Sequence, residues 1–560
     1  MSAGDEPLPR WHDRGMAAAA LVGLAAVVAE YGALPPAGWI QPLRLTALAA
    51  VVAFALLQVI RLLTVEHPLA YLRAHRIDFV LLFVLVVQGL AFAGLADTPE
   101  ARWLARHGAP SPLLPFYVAV VQVYAVAVVL ARSPLLHAAL VRIRLRPAQL
   151  LVASFAVLIA LGTGLLAMPG ASRDGVSIGL LDALFTSTSA ACVTGLVVRD
   201  TGVQFSTFGL AVIAALIQVG GLGILTFTAA FALLDGRGLS RVEARRIARA
   251  TDADADDVGE LRHTLGRVVV GTLVVEAVGA AALYLAWREA FPDPLVRAGQ
   301  AVFHAVSAFC NAGFALFPGN ASLTRFAADP ATALAVGGLV VLGGLGFPVL
   351  FELAGWGRPW SRHTRWVLAS AAVLIAGGAV LLAVLEGMDP LAAAFQSVTL
   401  RTAGFNTVPL GALGLPAVAV CVAWMLVGGA PGGTAGGLKT TTALAALSVP
   451  LGRPRVDRGT AHRALRLAAA FLGAFVLLCG AVALAQGGLD RRVVFEVASA
   501  LATVGLTMDY TPELGTASRL LVCVAMFAGR VGPFALAAAV LPWRERRVER
   551  PPEAERVLLG

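Results

Sequence analysis

At 560 residues, 58% hydrophobic and only 14% charged, with a mean hydropathy of +0.80, the chain lacks the charge that a soluble protein of this length needs to cover its surface. Its net charge of +9 would suit nucleic acid, but the arginines fall in clusters between alternate apolar runs, and that alternation is a membrane-topology pattern. The lipid bilayer, and no nucleic acid, is the surrounding this composition predicts.

Apolar runs long enough to cross about 30 Å of hydrocarbon recur along the chain. They predict an all-α integral membrane protein with twelve spans, near 16–34, 45–63, 77–97, 113–131, 148–168, 204–234, 264–287, 332–355, 364–385, 413–447, 464–487 and 516–541. The first run follows no cationic leader with a clear cleavage site, so it reads as a retained span. Residues 1–147 hold four spans whose loops carry little that suggests chemistry. The arginine clusters at 142–146, 237–249, 358–365, 453–463 and 544–550 place both termini in the cytoplasm of a multi-pass cell-membrane protein.

From residue 148 one unit recurs four times, at 148–234, 264–355, 364–450 and 464–542, with a charged cytoplasmic linker at 235–263 and a cytoplasmic tail at 543–560. Each unit has an apolar span, a shorter apolar segment ending in a small-residue turn, and a second apolar span. The short segments are LLDALFTSTSAACVTGLVV, AVFHAVSAFCNAGFALFPGN, PLAAAFQSVTLRTAGFNTVPLG and RVVFEVASALATVGLTMDYTPEL. Aligned on one glycine, they put Gly195, Gly313, Gly404 and Gly505 in the same slot. Each is too short to cross the bilayer, as a re-entrant helix is.

One glycine per repeat suits a ring of backbone carbonyls. A cation shedding water needs oxygens around a common axis, and turning successive carbonyls the same way requires positive φ, which glycine reaches without steric cost. The preceding short helix also aims its partly negative C-terminal end at that axis. Glycines can instead pack spans closely, but four matching slots, each after a short apolar helix, favour the ring.

The second spans share a further pattern. IQVGGLGILTF and VLGGLGFPVLF carry Gly-Gly-Leu-Gly, the fourth reads MFAGRVGPFAL, and the third is interrupted by VGGAPGGTAGGLKTTT. The repeats run in the same direction and show no opposed charge bias of the kind inverted repeats carry. A helix cannot pass smoothly through the third stretch, and its freed carbonyls need a donor. Arg530, about 16 Å from the end of the last span, needs oxygens in turn. The two are expected to satisfy each other, with Glu352 as the alternative partner for the arginine. The glycine-rich loop is expected to have many conformations and little else to hold it. Lys439, the only lysine in the chain, follows it. Arg401, just before the third turn, either trims the field near the cation or anchors the short helix to Glu496 or to carbonyls, and the anchor is the favoured reading. Asp200 and Asp509, after the first and fourth turns, either gather cations at an outer mouth or are ordinary loop acids. Glu276, within a span, has no partner the sequence names.

GGTAGGLKTT faintly resembles a Walker A string, but Leu438 stands where glycine must precede the lysine, and HExxH does not occur. The five cysteines lie in apolar segments without a CxxC pair, as small buried residues with no metal site or disulfide framework.

The strings VTGL (193–196), CNAGF (310–314), RTAGFNT (401–407) and TVGLT (503–507), together with GGAPGGTAGGLKTTT and FAGRVGP, resemble the Trk/Ktr/HKT superfamily of potassium transporters, the bacterial Trk and Ktr membrane subunits above all. The resemblance covers roughly 148–542; the first 147 residues depart from it. It implies four helix–pore loop–helix repeats around one pore, with potassium as the transported ion. Carbonyls of Val193, Thr194 and Gly195, of Asn311, Ala312 and Gly313, of Thr402, Ala403 and Gly404, and of Thr503, Val504 and Gly505 would form the selectivity filter. Gly432, Gly433, Thr434, Gly436, Gly437, Lys439 and Arg530 would form an intramembrane gate. The resemblance further implies a homodimer and a separate cytoplasmic regulatory subunit that binds nucleotide, with no cofactor on this chain. It associates a serine in the first glycine slot with sodium permeation. A sodium-permeable or ion-coupled transporter of the same superfamily is the alternative, although the spans show no paired acids at matching depth.

Overall fold

The computed structural model describes residues 10–64, 147–234, 258–355, 359–449, 458–532 and 536. The predicted spans near 77–97 and 113–131, most of the linker and the C-terminal tail lie outside the described residues. Among those described, every element is helical apart from two isolated bridges, Ser172 with Phe205 and Val427 with Leu438.

The chain divides into two compact units. The first contains α1 (Arg10–Gly32), α2 (Ala37–Thr64) and the segments Leu165–Ile178 and Phe205–Val212. Within it, Arg44 Nε donates to Glu30 Oε1 at 2.7 Å, and Ser206 N donates to Ala171 O at 2.9 Å.

The second unit holds the four recurring segments. Among the described residues, four helices are long and apolar enough to cross a membrane: Ala148–Leu166 of α3 (Pro147–Leu166), Gly266–Ala286 of α6 (Val258–Ala286), α10 (Arg362–Glu386) and α14 (Arg458–Gln486). They are the first spans of the four predicted repeats. Each precedes a helix too short to span: α4 (Leu180–Ala191), α7 (Pro294–Phe309), α11 (Pro390–Thr399) and α15 (Arg491–Leu501).

Local chemistry starts two of these short helices. Asp293 caps α7, accepting from Leu295 N at 2.8 Å and Val296 N at 3.3 Å, and Asp389 caps α11, accepting from Leu391 N at 3.0 Å. A proline fills the first turn of each, where its missing N–H has no helical partner to lose. Trp287, at the C-terminal end of α6, packs the second repeat together. It stacks on Phe326 at 5.2 Å between centroids, and its Nε1 donates to Thr332 Oγ1 at 2.9 Å.

The second spans are α5 (Thr207–Leu234), α8 (Pro330–Leu345) with α9 (Phe347–Ala354), α12 (Leu415–Leu426) with α13 (Thr440–Ser448), and α16 (Thr516–Val531). The run 332–355, read from sequence as one span, is bent by 104° between α8 and α9. Gly346 sits there at φ 86°, and Pro348 removes an N–H from the next turn. The third second span breaks where the sequence placed the break.

Gly220, Gly343 and Gly529 hold one register in three of these spans. A Cβ on any of them would strike a carbonyl at the end of the short helix in the same repeat: Ala191 O, Phe309 O and Leu501 O. Glycine there lets the span lie directly against the helix end.

Candidate functional site

The four short helices end in turns with one backbone signature. Val193, Asn311, Thr402 and Thr503 have φ of 49°, 57°, 72° and 50°, and the glycines two residues later, Gly195, Gly313, Gly404 and Gly505, have φ of 94°, 70°, 81° and 92°. Non-glycine residues rarely adopt such angles, so the same strain at four sites marks a backbone held for a purpose.

The turns close on one another. A Cβ on Gly195 would run into Ala312 O, and one on Gly313 would lie 2.8 Å from Ala403 O. A Cβ on Gly404 would lie 2.5 Å from Val504 O, and one on Gly505 would run into Thr194 O. Each glycine thus abuts the carbonyl just before the glycine of the next repeat, and the fourth returns to the first. The four predicted triplets come together in a single ring.

Serines hold three of the turns, which the sequence reading missed. Ser189 Oγ accepts from Gly195 N at 3.0 Å, and Ser499 Oγ accepts from Gly505 N at 3.0 Å. Ser307 Oγ donates to Phe314 O at 2.8 Å. All three lie six residues before their glycine, so the same alignment that found the glycines carried the signal. The third repeat departs: Val398 occupies that position, and Ala403 N donates to Thr399 O at 2.9 Å instead. The buried hydroxyls of Thr194, Thr402 and Thr503 have no hydrogen-bond partner within the protein, so uncommitted oxygens accompany the carbonyls.

The glycine-rich loop between α12 and α13 abuts the base of this ring. A Cβ on Gly436 would run into Thr503 Oγ1, and Thr434 Oγ1 donates to Phe309 O at 2.9 Å and lies 3.4 Å from the Asn311 carboxamide. Its neck is closed by Gly428 N donating to Leu438 O at 2.9 Å and Leu438 N to Leu426 O at 3.3 Å. Lys439 Nζ donates back to Ala435 O at 2.6 Å.

The expectation that little holds this loop does not stand. Breaking α8 at Gly346 leaves carbonyls without helical donors. Ala430 N donates to Gly344 O at 2.9 Å and Thr434 N to Gly343 O at 3.1 Å, while Phe347 N, freed at the start of α9, donates to Gly432 O at 3.0 Å. Two interrupted spans complete each other's backbone.

Arg530, 3% exposed, donates from Nη1 to Thr434 O and from Nη2 to Gly220 O at 2.5 Å and Gly221 O at 3.0 Å. The expected contact with the loop is present, and two carbonyls of the first repeat join it. The alternative partner, Glu352, accepts from Ser361 N at 3.0 Å instead. Arg401 Nη2 reaches Gly428 O at 3.3 Å, so of its two expected anchors the carbonyl is taken; Glu496 accepts from Thr507 at 2.8 Å and from Thr511. Asp200 caps a turn, accepting from Gly202 N at 3.0 Å and from Gly319 N. Glu276 gains a neighbour in Cys310 Sγ at 3.9 Å. All five cysteines are buried, as expected.

A ring of four strained turns inside a helical membrane protein, with an interrupted span packed beneath it, defines a class of transport protein rather than an enzyme. The profile of the TrkH family, described as cation transport protein, matches residues 119–358 and 362–544. The chain belongs to that family. It is 34% identical over 418 residues to the Ktr system potassium uptake protein B of Bacillus subtilis (strain 168), covering 70% of this chain and 92% of that protein. It is also 34% identical over 422 residues to the Ktr system potassium uptake protein B of Vibrio alginolyticus, covering 70% and 90%. The potassium/sodium uptake protein NtpJ of Enterococcus hirae is 32% identical over 428 residues, covering 70% and 92%. The crystal structure of the potassium transporter TrkH from Vibrio parahaemolyticus matches with a TM-score of 0.55 at 20% identity, over 83% of this chain and 98% of that one, a likeness of fold alone.

Proposed function

We propose that this chain takes up potassium across the cell membrane through one path lined by the carbonyls of residues 193–195, 311–313, 402–404 and 503–505, as the membrane subunit of a Ktr/Trk-like system. The observation that carries the reading is the closed ring of four turns with matching positive φ. A ring of that kind replaces an ion's hydration shell with fixed oxygens and no formal charge. The names of two relatives, both potassium uptake proteins, support potassium as the ion. The name of a third, a potassium/sodium uptake protein, supports the second reading, a sodium-permeable pathway.

In this proposal the repeats are 148–234, 264–355, 364–450 and 464–542, and residues 1–147 stand outside them. Gly432, Gly433, Thr434, Gly436, Gly437, Lys439 and Arg530 form the gate. The loop abuts the base of the ring, so an ion leaving it meets the loop before the cytoplasm. The pathway is tested with purified protein in liposomes. Rubidium uptake well above sodium uptake is expected, and equal uptake of the two ions by the unmodified protein would sink the potassium reading in favour of the second.

Both termini lie in the cytoplasm in this reading, the subunit forms a homodimer, and a separate nucleotide-binding subunit docks on the charged segment 235–263 and the basic segment 451–466. Flux is therefore expected to depend on that subunit and its nucleotide. Full, nucleotide-insensitive flux from the purified chain, with no partner co-purifying from its native membrane, would remove the regulatory part and leave the pathway untouched.

A further inference from the structure

The ring has four seams, and the chain itself joins only three of them. Repeats 1 and 2, 2 and 3, and 3 and 4 are consecutive in sequence, whereas repeats 4 and 1 meet with no covalent connection at their seam. Each seam is also crossed by a contact in the segments around the turns. Asp200 accepts from Gly319 N between repeats 1 and 2. Between repeats 2 and 3, Leu323 N donates to Asn406 O at 3.0 Å and Asn406 N to Ser322 Oγ at 3.1 Å. Arg491 Nη1 reaches Leu413 O at 3.3 Å between repeats 3 and 4.

The closing seam differs in kind. Asp182, in the first turn of α4 with its side chain 8% exposed, accepts from Arg519 Nη1 at 2.6 Å through one oxygen. Its other oxygen accepts from Arg199 Nε at 2.6 Å. Arg519, in the first turn of α16, donates in addition from Nε to Leu514 O at 2.9 Å and from Nη2 to Pro512 O at 3.1 Å. One guanidinium therefore ties the segment after the fourth turn to the helix that leads into the first. Arg199, four residues beyond Gly195, ties the exit of the first turn to the same carboxylate. Charge-assisted bonds are the strong ones, and arginine's planar fork fixes direction as well as distance.

We infer that Asp182 and Arg519 form a clasp that closes the ring of four turns between its last and first repeats and so sets ion preference, as positioning residues that do not themselves touch the ion. Gly505 and Gly195 lie on this seam, where a Cβ on Gly505 would run into Thr194 O. Loosening the seam widens the ring at one side while leaving the path open. Preference should therefore fall before flux does.

The inference rests on the filter reading above, and the two fail separately: the unmodified protein's rubidium preference tests the filter, and its change on substitution tests the clasp. Asp182→Asn and Arg519→Gln are measured in liposomes for rubidium uptake with sodium as competitor, each protein first shown to be folded by gel filtration. Each is expected to lower the rubidium-over-sodium preference about tenfold, the scale of one lost charge-assisted bond. Both remove the Arg519–Asp182 contact, while Asp182→Asn also frees Arg199 and Arg519→Gln also frees the carbonyls of Leu514 and Pro512, so the double variant should lose clearly less than the product of the two single losses. Asp490→Asn breaks an exposed pair with Arg492 and serves as the control, with the preference retained. Unchanged preference in both single variants, or losses that multiply in the double, would overturn the clasp. If Asp182→Asn does not fold, Arg519 carries the test alone: Arg519→Lys keeps a cation beside Asp182 without the fork, and should lose less of the preference than Arg519→Gln does. Equal preference in those two variants overturns the inference.

Discussion

Replacing Gly195 by serine is expected to cut the preference for rubidium over sodium by about tenfold or more, with transport of both ions retained. Gly195 has φ 94°, and a Cβ there would run into Ala312 O, a neighbour that is backbone and cannot swing aside. Left-handed conformations cost L-residues about 1–2 kcal/mol each before any clash is counted. Since tenfold in a rate or an equilibrium is ~1.4 kcal/mol, relief of that strain by a shift of the turn is large enough to show in selectivity. The shift separates the first turn from the second, and the oxygens no longer match the larger, weakly hydrated ion. Rubidium uptake into liposomes against increasing sodium measures it. A serine variant that folds and discriminates as the unmodified protein does would show that the first turn is not part of a filter.

Arg530→Gln is expected to raise flux about tenfold while leaving the ion preference intact. The guanidinium bridges Thr434 O in the loop to Gly220 O and Gly221 O in α5. Hydrogen bonds to a charged donor contribute about 1.5–3 kcal/mol each, and a neutral amide with two donors cannot serve three carbonyls equally. The loop keeps its contacts with the second repeat, through Ala430, Thr434 and Gly432. It is therefore expected to be released from α5 and not unfolded, which on the proposed gating role opens the path. Deleting Gly432 to Gly436 is the coarser experiment, because it also strips Gly343 O and Phe347 N of their partners. The ring glycines are untouched by Arg530→Gln, so preference should hold. Unchanged flux from a folded variant would leave Arg530 as a packing residue.

Much of this was legible in the residues because its causes are local. A span needs a run of apolar residues, a short helix needs too few of them, and a turn of positive φ needs glycine, so the four slots at Gly195, Gly313, Gly404 and Gly505 stood out on alignment. An arginine deep in an apolar span likewise announces that it needs oxygens. Which oxygens it takes is a different matter: Gly220 lies 310 residues from Arg530, and Asp182 lies 337 residues from Arg519. Gly-Gly-Leu-Gly reads alike at 220–223 and 343–346, yet α5 continues through it and the α8–α9 pair bends by 104°. The break is tolerable only where Ala430 and Thr434 supply the donors that the helix gives up, and they come from another repeat. Apolar length and glycine placement are local, so the sequence alone determined where spans and short helices lie, the turn positions and the interruption of the third repeat's second span. The tertiary structure decided which freed carbonyl meets which donor, because that depends on distances across the bundle that no local pattern encodes.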